Sequence, residues 1–118
     1  MNYLIIPGLK FTETYRPPIH NLTMQDIIVS VCNYFKVSIQ DITKINRKAS
    51  NVYARQIAIF IIRKNTSVTY SDLAEYFSGR DHSTMIYSMR KITSYLTFDE
   101  KVKKDIYNIQ KLIYADPL

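Results

Sequence analysis

The chain is 118 residues long, 47% hydrophobic, and carries a formal net charge of +6. That length suffices for one domain with a single core. The hydrophobic content excludes a disordered chain, and no apolar stretch approaches the ~20 residues of a membrane span. Its single cysteine, Cys32, permits no internal disulfide and points to a reducing cytoplasm, with Cys32 itself expected in the core.

Residues 1–21 hold Pro7, Pro17, Pro18 and Gly8 and read as an extended N-terminal arm ahead of a domain over 22–118. The opening Met1-Asn2-Tyr3-Leu4-Ile5-Ile6-Pro7 lacks the basic start and apolar length of a signal peptide. Thr23 with Asp26 three residues on predicts a capping box. Behind it Met24, Ile27, Ile28, Val31 and Phe35 recur on one helical face. Ser38 with Asp41 opens a second, short helix carrying Ile39 and Ile42. A polar, basic loop follows over residues 44–51. Residues 36–64 contain seven Lys and Arg against one acid, Asp41, so the whole charge excess lies in this stretch.

Residues 52–64 fit two templates. The run Ile57-Ala58-Ile59-Phe60-Ile61-Ile62 is β-branched enough for a buried strand. Ser50 as a cap, the basic Arg63-Lys64 end and the length favour a helix. Thr69 with Asp72 caps the next helix, Tyr70–Phe77, with Leu73, Ala74 and Phe77 inward. Gly79 supplies a φ > 0 turn, and Asp81 or Ser83 can cap a helix over 82–95. On that helix Met85, Met89, Ile92 and Leu96 bury one face and leave Thr84, Tyr87, Ser88 and Lys91 outside. Asp99-Glu100 starts a last helix with Val102, Ile106, Ile109 and Ile113 on its face. The expected fold is all-α, a compact bundle of about six helices containing a helix-turn-helix.

Catalysis has little to stand on. Two glycines cannot supply a Walker phosphate loop, and Gly79 is not followed by Lys-Ser or Lys-Thr. His20, His82 and Cys32 have no metal-ligand spacing. Asp81-His82-Ser83 lists the residue types of a hydrolytic triad, yet neighbours at one helix start point in different directions and cannot relay a proton. The expectation is no enzyme, no cofactor and no nucleotide.

Binding has more. A helix packed on one side, with Asp81, His82, Ser83 and Thr84 at its exposed start, suits the reader of a helix-turn-helix in the major groove of double-stranded DNA. Asp81 can accept from a cytosine amino group, or serve only as an N-cap. His82 can press on a thymine methyl or bond a base edge, and Ser83 and Thr84 can reach bases or phosphates. Arg55, beside the basic loop, can enter the narrow minor groove or form a surface salt bridge. The basic stretch is a phosphate-binding surface or merely a solvated face.

The run Gly79-Arg80-Asp81-His82-Ser83-Thr84, then Arg90-Lys91-Ile92, resembles the C-terminal DNA-binding domain of DnaA, the bacterial chromosomal replication initiator. There the pattern is Gly-Gly-Arg-Asp-His-Thr-Thr and a helix ending Arg-Lys-Ile. Ala54-Arg55-Gln56-Ile57-Ala58 is similar to the family's Pro-Arg-Gln-(apolar)-Ala, and the similarity covers residues 22–95. It implies base reading by Asp81, His82 and Ser83, and backbone or base contacts by Arg80, Thr84 and Lys91. It further implies a minor-groove role for Arg55 and phosphate contacts by Lys44, Arg47 and Lys48. Tyr53-Ala54 replaces the family's Arg-Pro, Ser78 replaces a turn Gly, Ala74 a helix Gly, and Ser83 a Thr. The expected function is reading of a DnaA-box-like site, in replication initiation control or transcription regulation. The alternative is a protein-interaction module that keeps this fold and uses residues 1–21, the last helix and the chain's 10 tyrosines on a protein partner. RNA binding fits less well, because the aromatics form no stacking motif.

Overall fold

A computed structural model describes residues 22–45 and 47–114. The arm expected over residues 1–21 lies outside them. Six helices occur among the described residues: α1 (Met24–Phe35), α2 (Ile39–Thr43), α3 (Ala49–Asn65), α4 (Tyr70–Tyr76), α5 (His82–Tyr95) and α6 (Glu100–Ile113). No strand accompanies them, so the described fold is all-α.

Three helices start where a short side chain and an acid three residues later satisfy each other's backbone neighbours. Thr23 with Asp26, Ser38 with Asp41 and Thr69 with Asp72 each form both halves of a capping box. The acids also sit at the positive end of the helix dipole. Asp99 caps α6 alone, accepting from the N–H groups of Lys101 and Val102. Helix α4 ends at Tyr76, one residue short of the expected bound, and Phe77 follows it as the buried C-cap.

Helix α3 is the centre of the domain, contacting α1, α2 and α5. Every residue from Ile57 to Ile62 is at most 1% exposed. The run that could pass for a strand is therefore a helix apolar on all sides, as expected when neighbours surround it. β-branching costs a helix at most about 0.7 kcal/mol per residue, whereas burying an isoleucine side chain returns about 1.5–3 kcal/mol. Packing wins.

The start of α3 differs from expectation. Ser50 is not its cap: the helix begins at Ala49, with Lys48 as N-cap and no side-chain cap bond. Ala49 is a strong helix former, so the first turn extends past Ser50 and leaves the hydroxyl inside it. At the other end, Asn65 accepts from the Tyr114 hydroxyl (2.7 Å), tying α3 to the end of α6. Arg63 donates to the Val68 carbonyl (2.8 Å) and lies 4.1 Å over the Tyr70 ring, fixing the loop into α4.

Helix α6 lays Val102, Ile106, Ile109 and Ile113, all buried, against the bundle, and Cys32 is buried in the facing helix α1. A polar cluster crosses this seam. Asp105 accepts from the hydroxyls of Tyr34 (2.8 Å) and Tyr53 (2.7 Å) and from the Lys101 ammonium (2.7 Å). Burial pushes the Asp105 carboxyl up, but those three bonds together outweigh it and hold the group below the usual carboxylate range. Burial, reinforced by the bond to Asp105, pushes the Tyr53 hydroxyl well above its ordinary value.

A depressed carboxyl contributes stability above its unfolded value of about 4 and loses it as pH falls through the folded value. We expect the thermal midpoint of the wild type to fall more steeply between about pH 4 and pH 2 than that of Asp105→Asn. Parallel curves in a pH series of melts would remove Asp105 from the acid response.

Candidate nucleic-acid interface

Helices α4 and α5 meet through Phe77-Ser78-Gly79-Arg80-Asp81. Two successive residues are left-handed, Ser78 at φ 66° and Gly79 at φ 69°. The N–H of Gly79 closes on the Glu75 carbonyl (3.4 Å) and that of Arg80 on Ala74 (3.0 Å). A Cβ at Gly79 would meet nothing within 4 Å, so glycine is favoured there by backbone conformation alone. Ser78 adopts the same strained region without that freedom. It has a compensating bond, since its hydroxyl donates to the Thr43 carbonyl at the end of α2.

Arg80 strengthens the same junction. Its guanidinium donates to the carbonyls of Thr43 (3.2 Å), Lys44 (3.0 Å) and Phe77. From α3, Arg55 Nε donates to the Ile42 carbonyl (2.8 Å). The last carbonyls of α2 and its C-cap thus accept from two arginines and a serine, where a helix end carries partial negative charge. Burial lowers the proton affinity of both guanidiniums, and the Arg80 charge lowers that of Arg55 further. The root of the basic loop is bound to the turn that launches α5.

Helix α5 spans His82–Tyr95, the bounds expected from its apolar spacing. Met85, Ile92 and Leu96 are buried and Met89 packs half-buried beside them. Asp81 is the N-cap by position, but its side chain makes no cap bond, and Ser83 makes none either. Asp81, His82, Ser83 and Thr84 are all exposed. Among the described residues the backbone N–H groups of His82 and Ser83 have no backbone acceptor, so the helix start offers donors as well as side chains. Tyr87 is 57% exposed, and Lys91 lies 5.9 Å from its ring centroid and 5.8 Å from that of Tyr95.

Ser88 corrects the expected outer face: it is 2% exposed and its hydroxyl donates to the Thr84 carbonyl (3.1 Å). Because α5 touches α3, α4 and α6, its buried arc is wider than one apolar stripe.

The remaining expected residues divide in two. Lys44, Arg47 and Lys48 are exposed on the loop. Arg55, by contrast, is only 7% exposed and Arg80 is half-buried in the junction. Sequence reasoning noted Ser78 only as the replacement of a turn glycine and missed its bond to the α2 carbonyls. The local signal was a polar residue at a position that demands φ > 0.

Two helices joined by a tight turn, the second exposing a polar tip beside a cationic loop, define a helix-turn-helix domain. The chain belongs to the bacterial DnaA protein helix-turn-helix family, which matches residues 24–92. It is 32% identical over 95 residues to the chromosomal replication initiator protein DnaA of Geobacter sp. (strain M21), a match covering 80% of this chain and 21% of that protein. Identity to DnaA of Geotalea uraniireducens (strain Rf4) is 35% over 91 residues, covering 77% and 20%. The chain spans about a fifth of the length of these curated relatives. Among the described residues no helix is long and apolar enough to cross a membrane, and no three His, Cys, Asp or Glu residues group as metal ligands.

Removing the Arg80 fork should cost about 2–3 kcal/mol in a urea-unfolding comparison of wild type and Arg80→Ala, the range for partly buried charge-assisted bonds. Arg80→Lys should recover little, because one ammonium cannot serve three carbonyls in the guanidinium's fork. An unchanged midpoint in Arg80→Ala would show the junction to be held otherwise.

Proposed function

We propose that this domain is a non-enzymatic, sequence-specific reader of double-stranded DNA that recognises a DnaA-box-like site. The start of α5 enters the major groove, where Asp81, His82 and Ser83 read base edges and Thr84 and Lys91 stay close to bases or backbone. Lys44, Arg47 and Lys48 hold phosphates and fix register without reading sequence. The observation that carries this reading is the exposed, uncapped tip of α5: Asp81 has no internal capping duty to compete with a base.

Arg80 acts in this scheme from behind, holding the loop to the turn, with any backbone contact made from that anchored position. For Arg55 the minor-groove contact requires a movement, because the free domain buries the side chain and engages Nε with Ile42. Side-chain changes of this kind are common at interfaces. The relatives carry the name of chromosomal replication initiator, which favours a role in replication initiation control over transcription regulation. Such a target places the protein with the chromosome in the cytoplasm. The competing reading, a protein-interaction module, draws on Phe98 and Leu112, 62% and 50% exposed beside and on α6.

Fluorescence anisotropy with a box duplex and a scrambled duplex, each titrated across salt, separates the two. Contacts to about six phosphates predict a log–log salt slope near −5. His82→Ala should lower discrimination between the duplexes by about 1–3 kcal/mol. Lys44→Ala should weaken both equally and reduce the slope by about 1. Arg55→Ala should weaken the box duplex more than Arg55→Lys does. Equal, salt-insensitive binding to both duplexes would refute the reading and turn attention to α6.

A further inference from the structure

A mixed aromatic and cationic stripe runs along α5 away from its tip. Ser83, Tyr87 and Lys91 recur every four residues and share one face, and Tyr95 continues that line. Tyr87 is 57% exposed. Lys91 Nζ stands between two rings, 5.9 Å from the Tyr87 centroid and 5.8 Å from that of Tyr95. Tyr95 is braced in turn by Phe98, edge-on at 5.5 Å. Rings on either side limit where a flexible ammonium can point.

The Tyr87 hydroxyl is left over. Tyr34 and Tyr53 donate theirs to Asp105, Tyr76 to Gln25 and Tyr114 to Asn65. The Tyr87 hydroxyl has no hydrogen-bond partner among the described residues. No acid occurs in the sequence between Asp81 and Asp99, whereas Arg90 and Lys91 do, so along this helix a polyanion meets attraction and no like charge. Four residues advance a helix by about 6 Å, and the major groove of B-DNA is about 8.5 Å deep. A tip that touches base edges thus leaves Tyr87 close to the level of the groove's phosphate walls.

We infer that Tyr87 is a further DNA contact of the reader helix, its hydroxyl donating to a phosphodiester oxygen at the groove wall while the Tyr87 and Tyr95 rings aim Lys91 at a neighbouring phosphate. The inference rests on the proposed entry of α5 into the major groove. Tyrosine suits the place in two ways: its hydroxyl is an ordinary phosphate donor, and its ring supports the cation. A contact of this kind positions the domain and reads no base, so it strengthens box and scrambled duplexes alike.

The test titrates the full 118-residue chain and its variants into box and scrambled duplexes across a range of salt, followed by anisotropy. Tyr87→Phe keeps the ring and should weaken both duplexes by roughly fivefold, the loss of one bond to a charged acceptor. The salt slope should stay as in wild type, because no charge is removed. Tyr87→Ala should weaken both further, because Lys91 loses a supporting ring. Lys91→Gln should reduce the slope by about 1. It should also cost less in the Tyr87→Ala background than in wild type, a coupling that two independent contacts do not show. With Tyr87 mostly outside the core, both of its variants should keep the wild-type urea midpoint. Tyr87→Phe and Tyr87→Ala that bind as wild type, while His82→Ala still loses discrimination, would overturn this inference and leave the α5 reading standing. A loss confined to the box duplex would overturn it too, making Tyr87 a base reader. Wild type that binds both duplexes equally and without salt dependence would bring down the α5 reading and this inference together.

Discussion

The carbonyl end of α2 is the constraint on which the binding surface depends. A helix of five residues ends there with acceptors its own backbone cannot satisfy. Arg55 reaches those acceptors from α3, and Ser78 and Arg80 reach them from the turn before α5. Three segments distant in sequence are thereby held at one point. The basic loop and the turn into α5 both start from that point. The two parts proposed to address DNA together are positioned by shared acceptors at the end of α2.

The bundle supplies the rigid frame for this junction. Helix α3 is buried on every side through Ile57–Ile62, so Arg55, two residues earlier, projects from an element with little freedom to move. The α1–α6 seam is tied through Asp105 and its two tyrosines. The cationic stretch of sequence serves two ends: loop residues face outward, while Arg55 and Arg63 are spent on internal carbonyls.

The sequence was most legible where the determinants are local. Capping boxes at Thr23, Ser38 and Thr69 depend on residues three apart, and each formed as read. The bounds of α5 followed from the spacing of Met85, Met89 and Ile92, and the φ > 0 turn from Gly79. Legibility failed where the partner is distant or the packing is three-sided. Nothing near Arg80 announces that its guanidinium will reach Thr43, 37 residues away. The burial of Ser88 depends on how many helices grip α5, which one helix's periodicity does not encode. Ser50 misled because a good capping residue lies two positions too deep, behind Ala49. Of the expected site, the exposure of Asp81–Thr84 and of Lys44, Arg47 and Lys48 was readable, whereas the burial of Arg55 was not.

The central claim is that the α5 tip and the α2–α3 loop form one DNA-facing surface. Amide chemical-shift mapping of the ¹⁵N-labelled chain on adding a box duplex tests it most directly. The account predicts the largest perturbations together at residues 44–48 and 81–84, with α6 beyond its first turn unaffected. Perturbations concentrated at Phe98 and along α6, with both of those segments silent, would contradict it.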